Sequence, residues 1–195
     1  DDNTFEENKV NITKSKIYIG FNRLKIVDLT EDSNQPILNK KNFFLYNGEF
    51  YNYKEFSNSK TNHSDTLTLF DNLKSKKLKF IEKINGMWSF IYADLNDNEI
   101  ILSRDRYGKK PLYYYEDEKI FISSSDTRSI FNYLNLTSRA VDIKSLLNMY
   151  AVKLNAYSGE STFYRDIKQV KPGHSMIINI KNFQKKIIRY KNFEN

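Results

Sequence analysis

Between Met87 and Ser125 the chain passes through four short runs, MWSFIYADL, NEIILSRD, KPLYYYED and KIFISSS. Ile, Phe and Tyr dominate them, and the turn-forming clusters NDN, RYGKK and EDE separate them. Aromatic and β-branched residues suit a pleated, half-buried surface. Links this short join antiparallel neighbours, because a parallel pair needs a crossover of a dozen residues or more. The spacing therefore predicts an antiparallel meander and argues against a doubly wound parallel sheet.

The flanking segments add strands and a few helices. KIYIGFNRLKIVDL reads as one or two strands interrupted at Gly20, and NKKNFFLYN as another. After Glu49, Phe50, Tyr53 and Phe56 fall at helical spacing, so a helix is expected to begin there. In SDTLTLFDNL, Ser64 is the expected N-cap, Asp65 lies in the first turn, and Leu67, Phe70 and Leu73 share one face. VDIKSLLNMYAV predicts a helix capped near Asp142, and MIINI with KIIRY a closing hairpin introduced by Pro172-Gly173. Helices mixed with antiparallel strands, without βαβ alternation, indicate an α+β layered domain. No repeat, low-complexity block or linker divides the sequence, so residues 1–195 are expected to form one domain.

Composition narrows the classes of function. Aromatics make up 15% of the chain, which argues for a packed interior and against disorder. The sequence contains no cysteine, which removes disulfides, thiolate metal sites and any thiol nucleophile within these residues. The opening DDNTFEENKV has neither the basic start nor the apolar core of a signal peptide, and runs such as MIINI are far too short to span a bilayer. A cytoplasmic protein without membrane contact is expected. The net charge of +7 permits nucleic-acid binding, but the basic residues are dispersed and no RNP-type motif occurs, so no nucleic-acid partner is expected. The densest cluster, KSKKLKF from Lys74 to Phe80, reads as a solvated helix end or as an anion-facing surface.

The six glycines form neither a G-x-G-x-x-G nor a P-loop pattern, and His63 and His174 lack ligand spacing, so neither a phosphate cradle nor a metal site is expected. Three other features each carry two readings. In FFLYNGEFYNYKEF, Asn47-Gly48 is a strong turn signal, and it also sets a side-chain amide beside an unshielded backbone N–H, as an oxyanion hole requires. Arg23, inside FNRLKIVDL, either emerges at a sheet edge or clamps a carboxylate with its planar fork. Asp65 either complements a helix dipole or binds a cation.

The ordered set RLKIVDL, NGEFYNYKEF, SDTLTL, NGMWSF and RDRYGKKPLYYY resembles the glutaminase domain of glutamine-dependent asparagine synthetases. These are class II glutamine amidotransferases of the N-terminal nucleophile hydrolase superfamily. The likeness extends through VDIKSLLNMYAV and STFYRDIKQVKPGHSMIINI, and so from Tyr18 to Tyr190. It implies a four-layer α/β/β/α sandwich with two antiparallel sheets, here missing its N-terminal strand. The implied activity is hydrolysis of the glutamine side-chain amide. The ammonia serves a C-terminal synthetase domain, where ATP and Mg²⁺ would act on aspartate; no cofactor is expected in this chain. A homodimer is left open.

Residue by residue, the resemblance assigns Arg23 to the α-carboxylate of L-glutamine and Asp65 to its α-ammonium. Leu24, Lys25, Ile26 and Val27 would line the same pocket, as would Asn47, Gly48 and Glu49. The Asn47 side chain and the Gly48 N–H would form the oxyanion hole. Met87 is either a tunnel-lining residue or plain core, Lys109 would bring charge near the tunnel, and RDRYGKKPLYYY would be mainly structural.

The family begins with a nucleophilic cysteine whose own amine serves as base, and this chain begins with Asp1. Loss of a central strand would leave an uncovered sheet edge, which favours a fragment over a natural variant. These 195 residues by themselves are expected to be inactive without that cysteine. The alternatives are a non-catalytic glutamine-binding or scaffold module, and an amidotransferase for another carboxylate acceptor.

Overall fold

The computed structural model describes residues 6–12, 15–21, 34–57, 64–135, 141–151 and 159–190. Strands β1 (Glu6–Ile12) and β2 (Ser15–Phe21) form a hairpin in which Gly20 pairs with Glu7, so Gly20 continues its strand and does not interrupt it. Next come β3 (Ile37–Leu38), β4 (Asn42–Phe50), helix α1 (Asp65–Lys76), β5 (Gly86–Asp94) and β6 (Glu99–Arg104). The chain continues through β7 (Tyr113–Glu116), β8 (Phe121–Ser124), α2 (Thr127–Tyr133) and α3 (Ile143–Ala151), and then β9 (Lys168–Gln169), β10 (His174–Asn179) and β11 (Lys185–Arg189). The last two form the expected hairpin.

The principal sheet has six strands in the order β11-β10-β6-β5-β4-β3, and a second sheet runs β8-β7-β9. The pairings in both are antiparallel. Strand alternation sends Phe44, Tyr46 and Phe50 of β4, with Trp88, Phe90 and Tyr92 of β5, to one face of the large sheet. There they pack on Leu69, Phe70 and Leu73 of α1. Rings stack directly in this layer, Phe44 on Phe70 at 5.6 Å. Burying each such side chain stabilises the fold by roughly 1.5–3 kcal/mol relative to exposure.

On the opposite face, Leu102, Met176 and Ile178 meet Leu112 and Tyr114 of the small sheet's side. Beyond that sheet, Ile130 and Phe131 of α2 pack with Tyr113, Tyr115 and Ile122. The order is thus helix, sheet, sheet, helix, the four-layer α+β sandwich that the resemblance implied.

Two further local expectations are corrected. The run of four strands is not one meander: β5 and β6 belong to the large sheet, β7 and β8 to the small one. The cause lies in Arg104-Asp105. The Asp105 carboxylate accepts from the N–H groups of Tyr107, Lys109 and Lys110 at 2.9–3.0 Å and of Trp88 at 3.3 Å. Arg104 donates to the carbonyls of Gly108, Lys110 and Val170 and to the Gln169 side chain. The loop wraps around these two charges and carries the chain across to the second sheet, a structural role for RDRYGKK.

The helix expected after Glu49 is also absent. Phe50 is a strand residue paired with Gly86, and only a short 3₁₀ turn, Tyr53–Phe56, follows. Phe56 packs its ring on Phe50 at 5.5 Å, so the apolar spacing serves a tight turn against the core.

Candidate active site

Asn47-Gly48-Glu49 is not a turn. It lies within β4, opposite Ser89, Trp88 and Met87 of β5. Gly48 is required there by space: a Cβ would stand 2.2 Å from the Met87 carbonyl oxygen and 2.8 Å from the Trp88 Cα.

Antiparallel strands direct the N–H and C=O of alternate residues to opposite edges. The Tyr51 N–H donates to the Asn85 carbonyl, on the β5 side, which places the polar groups of odd-numbered β4 residues there. Those of even-numbered residues face the outer edge. Tyr46 is tied on that edge by the Gln35 side-chain amide, which donates to its carbonyl at 2.9 Å and accepts from its N–H at 2.5 Å. Phe50 is tied by its N–H to Asp65 Oδ2 at 3.0 Å. Gly48 stands between them, its N–H directed outward without a hydrogen-bond partner among the described residues.

Asp65 opens α1 and is 5% exposed. Ser64 caps the helix as expected, its Oγ accepting from the Leu67 N–H at 3.4 Å. The Asp65 carboxylate accepts four hydrogen bonds. Oδ2 takes the Phe50 N–H and the Tyr46 hydroxyl (3.2 Å), and Oδ1 the Thr66 N–H (2.7 Å) and Thr66 Oγ1 (3.3 Å). All four donors are neutral, and no cation pairs with Asp65 among the described residues. Burial, with Asp65 beside it, pushes the Tyr46 phenol well above its ordinary range, so it stays a donor.

A cavity of about 600 Å³ is lined by Asn47, Gly48, Glu49 and Asp65 together. Asn47 lies on the inter-sheet face of β4, with no partner for its amide among the described residues. The cavity continues between the sheets past Ser89, Ile91 and Leu112 to Ser123, Asp126 and Tyr133. A buried carboxylate awaiting a cation thus shares one cavity with an amide side chain and an outward N–H, the groups that would bind an ammonium and stabilise an oxyanion.

Arg23, Leu24, Lys25, Ile26 and Val27 lie outside the described residues. Lys109 is exposed, and it is Lys110 that lines the cavity. Met87 is half-buried, and Ser89, Phe90 and Ile91 form the cavity wall on its strand. Two contributors escaped the sequence reading. Gln35 precedes Pro36 and Tyr46 lies in the apolar run FFLYN; nothing local marks either as part of a site. Among the described residues no group of three or more His, Asp or Glu is placed to hold a metal ion, and no helix is long and apolar enough to cross a membrane.

The family model of the glutamine amidotransferase domain matches residues 6–191, so the likeness begins before Tyr18 and includes β1. Glutamine-hydrolysing asparagine synthetase 2 of Bacillus subtilis (strain 168) is 33% identical over 186 residues, covering 90% of this chain and 25% of that protein. Asparagine synthetase 1 of the same organism is 28% identical, covering 82% of this chain and 26% of its own length. The chain therefore spans about a quarter of the length of these curated relatives. Among solved structures, the glutamine phosphoribosylpyrophosphate amidotransferase of B. subtilis, in complex with ADP and GMP, superposes with a TM-score of 0.56 at 17% identity, covering 89% of this chain and 35% of that one. That likeness shows a shared fold, the sandwich of two antiparallel sheets. With the matched family model spanning both sheets and the cavity between them, the chain belongs to the glutamine amidotransferase domain family.

Proposed function

We infer that this chain is the glutamine-binding, glutaminase portion of an asparagine synthetase-like enzyme. The observation that carries the reading is the edge of β4, where the outward Gly48 N–H stands beside Asn47 in the cavity that also holds the Asp65 carboxylate, the N–H without a partner and the carboxylate without a cation among the described residues. L-Glutamine supplies what these groups lack: an α-ammonium for Asp65 and a side-chain amide whose oxygen becomes negative as the carbon is attacked. Losing one preorganised donor to such an oxyanion typically costs about 3 kcal/mol of transition-state stabilisation. Arg23 takes the α-carboxylate, so the two charges read the amino-acid head and reject simple amides.

The reaction is glutamine plus water giving glutamate and ammonia. With no cysteine among the 195 residues, these side chains provide binding and charge stabilisation and not the attacking thiol. The cavity's extension between the sheets suits the passage of neutral ammonia to a synthetase body. The names of the B. subtilis relatives, glutamine-hydrolysing asparagine synthetases, support aspartate as the acceptor there; its activation with ATP and Mg²⁺ is part of the same proposal. Calorimetric titration with L-glutamine tests the reading. Saturable binding that disappears in Arg23→Ala and in Asp65→Ala is expected; wild-type binding unaffected by both substitutions overturns it.

A further inference from the structure

Asp65 is fixed by a residue of its own surroundings that the glutamine reading leaves without a task. Tyr46 is 4% exposed, and its ring packs among Phe44, Phe70 and Phe90 on the α1 side of the sheet. Its hydroxyl ends 3.2 Å from Asp65 Oδ2, the oxygen that also takes the Phe50 N–H. Its main chain is held at both polar atoms by Gln35. Tyr46 therefore connects the strand edge that presents Gly48 to the helix terminus that presents the carboxylate.

We propose that Tyr46 is the positioning residue that orients the Asp65 carboxylate for the α-ammonium of the ligand, and so sets the preference for an amino acid over an amide lacking that group. The proposal rests on the glutamine-binding reading of the cavity. A carboxylate that accepts from Phe50 and Tyr46 on one oxygen and from Thr66 on the other is locked about its Cβ–Cγ bond. Without the hydroxyl, Oδ2 keeps one donor and the carboxylate can rotate away from the cation. A phenylalanine would retain the ring packing, which separates orientation from core volume.

The test uses the 195-residue chain and two ligands: L-glutamine, and 5-amino-5-oxopentanoate, which is glutamine without its α-amino group. Wild type should prefer glutamine. Tyr46→Phe should weaken glutamine binding about ten-fold while the des-amino compound binds within about two-fold of wild type, the size of effect that one hydrogen bond to a charged group carries. A purely structural Tyr46 would weaken both ligands together; that result, or no change in either, overturns the proposal. Asp65→Asn separates the two levels of the reading. If it abolishes the preference while Tyr46→Phe preserves it, the positioning role alone fails. If Asp65→Asn leaves the preference intact, the assignment of Asp65 fails and the role of Tyr46 with it.

Discussion

Asp65 and Asp105 are both buried carboxylates, 5% and 1% exposed, and each accepts four hydrogen bonds. Their surroundings give them different work. All four donors to Asp105 are backbone N–H groups, three of them from the loop that the carboxylate itself folds, and the Arg104 guanidinium lies next to it in sequence. Asp65 gathers two backbone N–H groups and two hydroxyls, has no neighbouring cation among the described residues, and borders the cavity. The count of hydrogen bonds does not distinguish a structural carboxylate from a binding one. What the charge still lacks, and whether open space lies beside it, does.

The comparison breaks most readily at Asp105. Asp105→Ala strands four N–H groups, that of Trp88 buried and the other three partly so, and leaves Arg104 without its nearby countercharge, so unfolding in urea should show a loss of about 4 kcal/mol. Burial already pulls the Arg104 guanidinium below its ordinary range, with Asp105 among the groups opposing that. Asp65→Ala should cost at most about 2 kcal/mol, because solvent from the cavity can reach the donors it leaves, while glutamine binding is lost. Similar stability losses at the two sites would erase the distinction.

Gly48→Ala should rank between the two aspartate substitutions, at about 3 kcal/mol, since its Cβ would press on the β5 backbone, which has no side chain to move aside. The same unfolding experiment reads it, and a neutral effect would mean that β4 and β5 are not in close register at this point.

How far the sequence reveals each region follows from the range of the interactions. Asp65 was legible as a first-turn residue because Ser64 and the apolar spacing after it are local signals. The cavity-lining Asn47-Gly48 was legible as chemistry through the resemblance, but its conformation was not. A turn dipeptide becomes a strand when distant groups, Gln35 and Asp65, serve as edge partners and β5 covers the other side. The division of the strands into two sheets was hidden for the same reason. It depends on Arg104 reaching Gln169 and Val170, partners 65 and 66 residues away. Tyr46 carries no local mark at all, since its neighbours in sequence describe an ordinary buried strand.

The smallest expected effects are alkaline, and they sharpen the comparison through the tyrosine beside each aspartate. Burial and Asp65 raise Tyr46; burial and Asp105 raise Tyr190, whose hydroxyl donates to the Arg104 carbonyl at 2.6 Å. Burial also pushes Tyr92 up to about 12. Unfolded tyrosines ionise near 10, so the unfolded chain releases these protons first. Stability from the tyrosines is therefore complete below about pH 10 and declines as pH rises through 10–12. In a spectrophotometric titration, Asp65→Asn should lower the Tyr46 transition and Asp105→Asn that of Tyr190. Transitions unchanged in both variants would show that the carboxylates do not act on the phenols.

On the function proposed above, the outward Gly48 N–H, the Asn47 amide and the Asp65 carboxylate form one glutamine site. Titration of isotopically labelled chain with L-glutamine, followed by amide NMR, tests it most directly. Saturable shifts of the Gly48 backbone amide and the Asn47 side-chain amide are expected at one common affinity, both abolished by Asp65→Asn. Shifts confined to residues outside the cavity, or Gly48 and Asn47 responding unchanged in the Asp65→Asn variant, would contradict it.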